Sequence, residues 1–183
     1  MVLRRQLAQM VDTALQTVGE EVYKKQLVNS ERSFQAAMWE ALRWQFAVNG
    51  KDTFKIFIEP RLTTRGADKE LPPSVRFPDL VVCNRDSVVG VFELKFKPRG
   101  RASSIKDVAT FELLARNRKK LLVKNQRYYP ATEVKEYRMS DSVLFGWIAI
   151  VNRASDLGPI KGIREEHLKS FVYLTTEVAM QGA

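Results

Sequence analysis

The sequence predicts an α/β domain in which helices cover a central mixed sheet. Three observations carry that expectation. Apolar residues recur at helical spacing through the N-terminal quarter. Two strand-like runs flank a turn between residues 80 and 96. After them the pattern returns to a helix and then to another apolar strand.

The first helix is expected over about residues 3–25, where Leu3, Leu7, Met10, Ala14, Val18 and Val22 recur at three- and four-residue steps. Core packing and half of a dimer contact both fit that stripe. A second helix starts at Asn29-Ser30, both good N-cap residues. It carries Phe34, Ala37, Met38, Ala41 and Leu42 on one stripe and ends at Asn49-Gly50. Phe54 to Glu59 reads as a strand closed by Pro60. Residues 61–77 are polar, contain Gly66 and Pro72-Pro73, and read as a long loop. Leu80 to Cys83 and Val88 to Phe96 form a hairpin around the turn residues Asn84-Arg85-Asp86-Ser87. A third helix follows Pro98-Arg99-Gly100. Ser104 and Asp107 read as its capping box, Val108, Phe111, Leu114 and Ala115 as its apolar contacts, and Lys124 as its approximate end. Val143 to Val151 has strand length, and Phe171 to Thr175 reads as a final edge strand. The chain is expected to be one domain over 1–183, a helical extension over 1–28 preceding a core over 30–151.

The chain has 183 residues, 45% apolar and 28% charged, as folded globular proteins have. No run approaches the roughly 18 apolar residues of a membrane span. Arg4 and Arg5 are not followed by an apolar segment and cleavage site, so a cytoplasmic protein without a secretory signal is expected. The single cysteine, Cys83, lies in an apolar run and reads as a buried thiol in a reducing compartment. The net charge of +9 favours polyanionic partners. It is concentrated: between Lys97 and Arg127 ten Lys or Arg face only Asp107 and Glu112. A solvated surface is the plainer explanation, and nucleic acid the favoured one.

The chemistry-bearing residues cluster on the hairpin. A three-residue loop, Arg85-Asp86-Ser87, pairs Asn84 with Val88 and, counting back, Asp79 with Glu93. Directly opposed residues share a face, about 4.5–5.5 Å apart at Cβ. Lys95, two positions on, shares it; Phe92, Leu94 and Phe96 take the other. A one-residue slip would separate them. Paired carboxylates suit a hard cation such as Mg²⁺ or Mn²⁺, and Lys95 would orient a water and a phosphate beside it. A surface salt bridge between Glu93 and Lys95 is the alternative.

The run R-F-P-D-L-V-V, a hairpin, then V-F-E-L-K-F resembles the PD-(D/E)XK nuclease superfamily, whose core is a helix, a strand, this hairpin, a helix and a further strand. The same order runs from about Ser30 to Val151. The resemblance implies a restriction-endonuclease-like core and a Mg²⁺-dependent endonuclease acting on DNA in preference to RNA. It also implies a main-chain carbonyl ligand, here Leu94, and an acid on the preceding helix. Glu31 and Gln35 lie on the inward stripe with Met38 and Leu42 and fill that place. Glu40 competes, but lies half a turn away. A Gln-x-x-x-Tyr element found in one branch of the superfamily is missing, since Gln126 and Tyr129 have the wrong spacing.

The expected site is therefore Asp79, Glu93, Lys95, Glu31 and Gln35 as catalytic residues, with metal held by Asp79, Glu93, Leu94 and Glu31. Lys97, Arg99, Arg101, Arg116, Lys119 and Lys120 are expected to contact nucleic acid, the last three from one helix face. Arg61, Arg65, Lys69 and Arg76 in the long loop either close over a substrate or belong to a connector. Tyr128-Tyr129 fit base stacking or strand packing. Trp39 and Trp44 are expected to pack, and His167 to lie at the surface. No membrane partner is expected; a homodimer or larger complex is. The alternative function is a nucleic-acid-binding or complex-assembly protein that keeps the fold without cutting.

Overall fold

The computed structural model describes residues 2–64, 77–99, 101–126, 134–153, 157 and 169–177. It is a mixed α/β structure, as the sequence predicts. Helix α1 (Val2–Thr17) continues through a π-helical stretch, Val18–Tyr23. Its Leu7, Met10, Val11, Ala14, Leu15 and Val18 are buried. They alternate steps of three and one, which gives one apolar stripe on the helix. Helix α2 (Glu31–Val48) starts in a reciprocal cap. Ser30 Oγ accepts from the Ser33 amide at 3.2 Å, and Ser33 Oγ accepts from the Ser30 amide at 3.0 Å. It stops at Asn49, and Gly50 takes a positive φ of 61° that a side chain would resist.

Among the described residues seven strands make one sheet: β1 (Phe54–Ile58), β2 (Leu62–Thr64), β3 (Leu80–Asn84), β4 (Ser87–Lys97), β5 (Leu121–Gln126), β6 (Val134–Val151) and β7 (Phe171–Glu177). The order is β1-β3-β4-β6-β5-β2, with β7 added on β6. β4 and β6 are parallel, as are β6 and β7; the other pairs are antiparallel. β6 is the spine. It pairs with β4 from Arg138 to Val151, while its other edge takes β5 at Val134–Arg138 and β7 at Phe145–Val151.

The structure revises three expectations. Residues 62–64, assigned to a loop, form β2 against β5. The third helix, α3 (Ile105–Asn117), ends seven residues before Lys124; Arg118–Lys120 form a 3-10 turn and β5 begins at Leu121. Apolar Leu121 and Leu122 and β-branched Val123 are buried there, so strand burial overrides helix propensity. The Ser104–Asp107 capping box is absent. Ser104 makes no side-chain cap bond, and its Oγ is buried without a partner among the described residues.

Two apolar clusters sandwich the sheet. One, with Leu80, Val82, Phe92 and Leu94, packs beneath α1 and α2. The other, with Val81, Val91, Phe145 and Trp147, packs against α3. Trp39 joins the first cluster, but Trp44 is 66% exposed, contrary to the packing expected of it. Residues 65–76, Arg127 to Tyr129 and His167 lie outside the described residues.

Phe92 depends on two glycines. A Cβ at Gly146 would come within 2.5 Å of the Phe92 ring, and one at Gly90 within 2.6 Å. The ring therefore lies over bare backbone on its own strand and on β6. Gly146→Ala is expected to cost about 1–3 kcal/mol by overpacking, read from urea unfolding.

Cys83 is fully buried, and burial pushes its thiol up to about 12. The unfolded chain loses this proton near the ordinary thiol range, whereas the folded chain keeps it. Stability should therefore fall as pH rises through that interval, by up to about 1.4 kcal/mol per pH unit from this group. Cys83→Ala should flatten that part of the stability–pH curve by the same amount.

Candidate active site

The site begins with a register. The turn of the β3–β4 hairpin has two residues, not three: Asn84 pairs with Ser87, and Arg85 takes a positive φ of 53°. Left regular, that start would set Asp79 opposite Phe92. A bulge at Val89 intervenes, so Cys83 pairs with Val88 but Val82 with Gly90 and Leu80 with Phe92. One step further the same register sets Asp79 opposite Glu93. The expected juxtaposition thus holds, through a shorter turn plus a bulge.

Asp79 is held at three points. Its Oδ2 accepts the Leu94 amide at 2.7 Å. Its main-chain carbonyl accepts Gln35 Nε2 at 2.8 Å and the Glu59 amide at 3.1 Å. Glu59, which has a positive φ of 45°, turns its amide toward Asp79 at the end of β1. Gln35 is only 7% exposed and reaches Asp79 from α2. It is a positioning residue for Asp79, because its amide touches backbone. Glu31, one turn earlier on α2, is exposed, yet its charge acts on both Asp79 and Lys95.

The electrostatics follow from burial of like charges. Burial raises the Asp79 carboxyl; the Leu94 amide and Lys95 pull it back. Glu93 is pushed up to about 9, first by burial and then by the charges of Asp79 and Asp107, against the pull of Lys95. The Asp79 and Glu93 carboxyls lie close enough for each to alter the other's hold on a proton. Burial depresses the Lys95 ammonium, but the surrounding acids more than offset this, Asp107 first and then Glu31, Glu93 and Asp79.

Asp107 is the residue that the sequence reading misassigned as a cap. Its Oδ2 accepts the Trp147 indole N–H at 2.9 Å and faces Lys95 Nζ at 3.4 Å. The signal was available: Asp107, Phe111 and Leu114 fall on one helical stripe, so an acid there had to face inward.

The basic residues divide between two places. Lys97, Arg99 and Arg101 are exposed at the end of β4 and before α3, two to eight residues along the chain from Glu93 and Lys95. Arg116 is exposed at the far end of α3 and pairs with Glu112 at 3.9 Å. Lys119 and Lys120 are exposed in the 3-10 turn beyond, so the single helix face expected for these three does not exist. At about 1.5 Å per residue Arg116 stands roughly 14 Å along the helix from Asp107, and Lys119 and Lys120 lie beyond it.

Among the described residues no three His, Cys, Asp or Glu group together to hold a metal ion, and no helix is long and apolar enough to cross a membrane. No protein-family model and no curated protein matches the chain. Among solved structures it is similar to NucC of P. aeruginosa ATCC27853 in its cAAA-bound form, at 13% identity and a TM-score of 0.40. That match covers 82% of this chain and 66% of the other. A likeness of that degree assigns no function.

Replacing Gln35 with Leu removes one of two donors to the Asp79 carbonyl at similar side-chain volume. The expected loss is about 1 kcal/mol in denaturant unfolding.

Proposed function

We propose that the protein is a Mg²⁺-dependent nuclease that hydrolyses phosphodiester bonds, with DNA as the favoured polymer. The observation that carries this reading is the half-buried pair of Asp79 and Glu93, whose carboxyls interact with each other and with Lys95. Two carboxylates and an ammonium, drawn into one place at the cost of burying them, are poorly explained by stability alone. The Pro78-Asp79 and Glu93-Leu94-Lys95 pattern, in its strand context, supports the same reading.

The donor set fits magnesium, which takes one or two carboxylates and keeps several waters. Asp79 and Glu93 would hold it, with the Leu94 carbonyl, and Glu31 would hold one of its waters. A metal so held supplies an activated water and neutralises charge on the phosphate. Lys95 donates to the phosphate oxygen that gains charge and orients the attacking water. Asp79 stays in place through Leu94, Gln35 and Glu59 while this happens. Lys97, Arg99 and Arg101 bind backbone phosphates next to the acids, which positions a strand without reading its sequence.

A second reading rests on the exposed cations Lys97, Arg99 and Arg101, which attract a polyanion with or without a metal at the acids. On that reading the protein binds nucleic acid or assembles with a complex and does not cut.

Supercoiled plasmid and single-stranded RNA, each with Mg²⁺, test the proposal. Asp79→Ala and Lys95→Ala should each lower cleavage by about a hundredfold or more while leaving plasmid binding intact. Full cleavage by Asp79→Ala sinks the assignment. Calorimetry should detect Mg²⁺ on the wild type and lose it in Asp79→Ala. No Mg²⁺ binding, with DNA affinity falling steeply with salt, selects the non-cutting binder. Cleavage of RNA alone moves the substrate and keeps the chemistry.

A further inference from the structure

We propose that Asp107 is a positioning residue for Lys95, holding its ammonium beside the Asp79–Glu93 pair. This role rests on the nuclease reading.

Asp107 comes from α3, outside the hairpin that supplies the other groups. One of its oxygens, Oδ2, meets both the Trp147 indole N–H at 2.9 Å and Lys95 Nζ at 3.4 Å. The direction of that N–H is fixed. Trp147 is fully buried and stacks on Tyr173, with ring centroids 4.5 Å apart and planes 3° from parallel. The helix carrying Asp107 is fixed as well, through buried Val108, Phe111 and Leu114. Indole, carboxylate and ammonium thus form a chain that starts in the core and ends at the site.

The arrangement is costly unless it serves Lys95. Asp107 is 8% exposed and lies close enough to Glu93 to raise that carboxyl. An apolar side chain at this position would pack against the second core without adding a like charge. Lysine, by contrast, needs such an anchor. Its ammonium is a point charge on a flexible four-carbon stem, without the rigid fork of arginine. Asp107 removes that freedom from an element that does not move with the hairpin.

The test uses cleavage of supercoiled plasmid with Mg²⁺, and NMR of the Lys95 ammonium and Trp147 indole in ¹⁵N-labelled protein. Asp107→Asn keeps an oxygen for the indole and removes the charge. Its kcat should fall about 10- to 100-fold, as for lost partners of functional groups elsewhere. KM should stay within about twofold, since substrate binding is not its task. The Trp147 signal should stay in place and the Lys95 signal should be lost. Asp107→Asn added to Lys95→Ala should slow cleavage no further, as for two residues acting through one group. Where Asp107→Asn does not fold, Asp107→Glu must retain the Lys95 signal and part of kcat. Wild-type kcat in Asp107→Asn overturns the role, and so does a further loss on top of Lys95→Ala. Failure of Asp107→Glu to retain either readout overturns it too. If the wild type cleaves neither plasmid nor RNA, the nuclease reading fails and takes this role with it; full cleavage by Asp107→Asn alone removes only the role.

Discussion

The site depends on a hydrogen bond from the Leu94 amide to Asp79 Oδ2 at 2.7 Å. It sits where the β3–β4 ladder ends. Leu80 is the first residue of β3, and it pairs with Phe92. Two residues on, the Asp79 carboxylate takes the donor that a further ladder carbonyl would have taken. That substitution requires Asp79 to stand at the edge of the ladder and on the right face. The bulge at Val89 sets the face. Without it the two-residue turn would place Phe92 opposite Asp79. The carboxylates and the aromatic rings would then exchange sides, because a one-residue shift turns every side chain over.

The same alternation explains why charge and core can lie so close. On β4, Phe92 and Leu94 enter the cluster beneath α1 and α2, while Glu93 and Lys95 face α3 with Val91. On that second face Asp79, Glu93 and Asp107 outnumber Lys95. Burial alone would drive such acids to keep their protons, and Glu93 does so up to about 9. A proton is one way to neutralise the surplus. A divalent cation is another, and it takes oxygens of the same carboxyls as its ligands. The surplus of buried acid over base therefore connects the packing to the proposed metal chemistry.

Most of the fold was legible because its signals are local. Ser30 and Gly50 punctuate α2 at the expected places, and Leu80–Cys83 and Val88–Phe96 read as strands from alternation and β-branching. The juxtaposition of Asp79 and Glu93 was legible only in outcome. A turn one residue shorter and a bulge one residue long cancel, and parity cannot tell that pair from a three-residue loop. What was not legible depends on tertiary partners. β2 is three residues long and exists because β5 borders it. The run 118–124 is helical in pattern and yields to the sheet at Leu121. Asp107 was read against its chain neighbour Ser104, whereas its partners are Lys95, 12 positions earlier, and Trp147, 40 positions later.

The placement of the basic residues bears on the size of the partner. Lys97, Arg99 and Arg101 follow the β4 strand that carries Glu93 and Lys95 and precede α3, and Arg116, Lys119 and Lys120 lie at the other end of α3. Of the two acids in that segment, Glu112 pairs with Arg116 and Asp107 with Lys95, which leaves the other cations unmatched by them. Asp107 and Glu112 are both buried, the first against Trp147 and Lys95. Among the described residues cations dominate the exposed part of the segment, and only Arg118 and Lys124 meet acids of β6, Asp141 and Glu136. A small phosphorylated molecule would meet one end of the helix. A strand with about 3.4 Å between phosphates would need some six of them to run the length of α3, whose 13 residues extend about 20 Å. Cations spaced this way gain from a polymer what they cannot gain from a monomer, since each phosphate they neutralise releases counterions. The charge distribution and the acid pair thus favour the same class of partner on independent grounds, one through long-range attraction and the other through chemistry at a single bond.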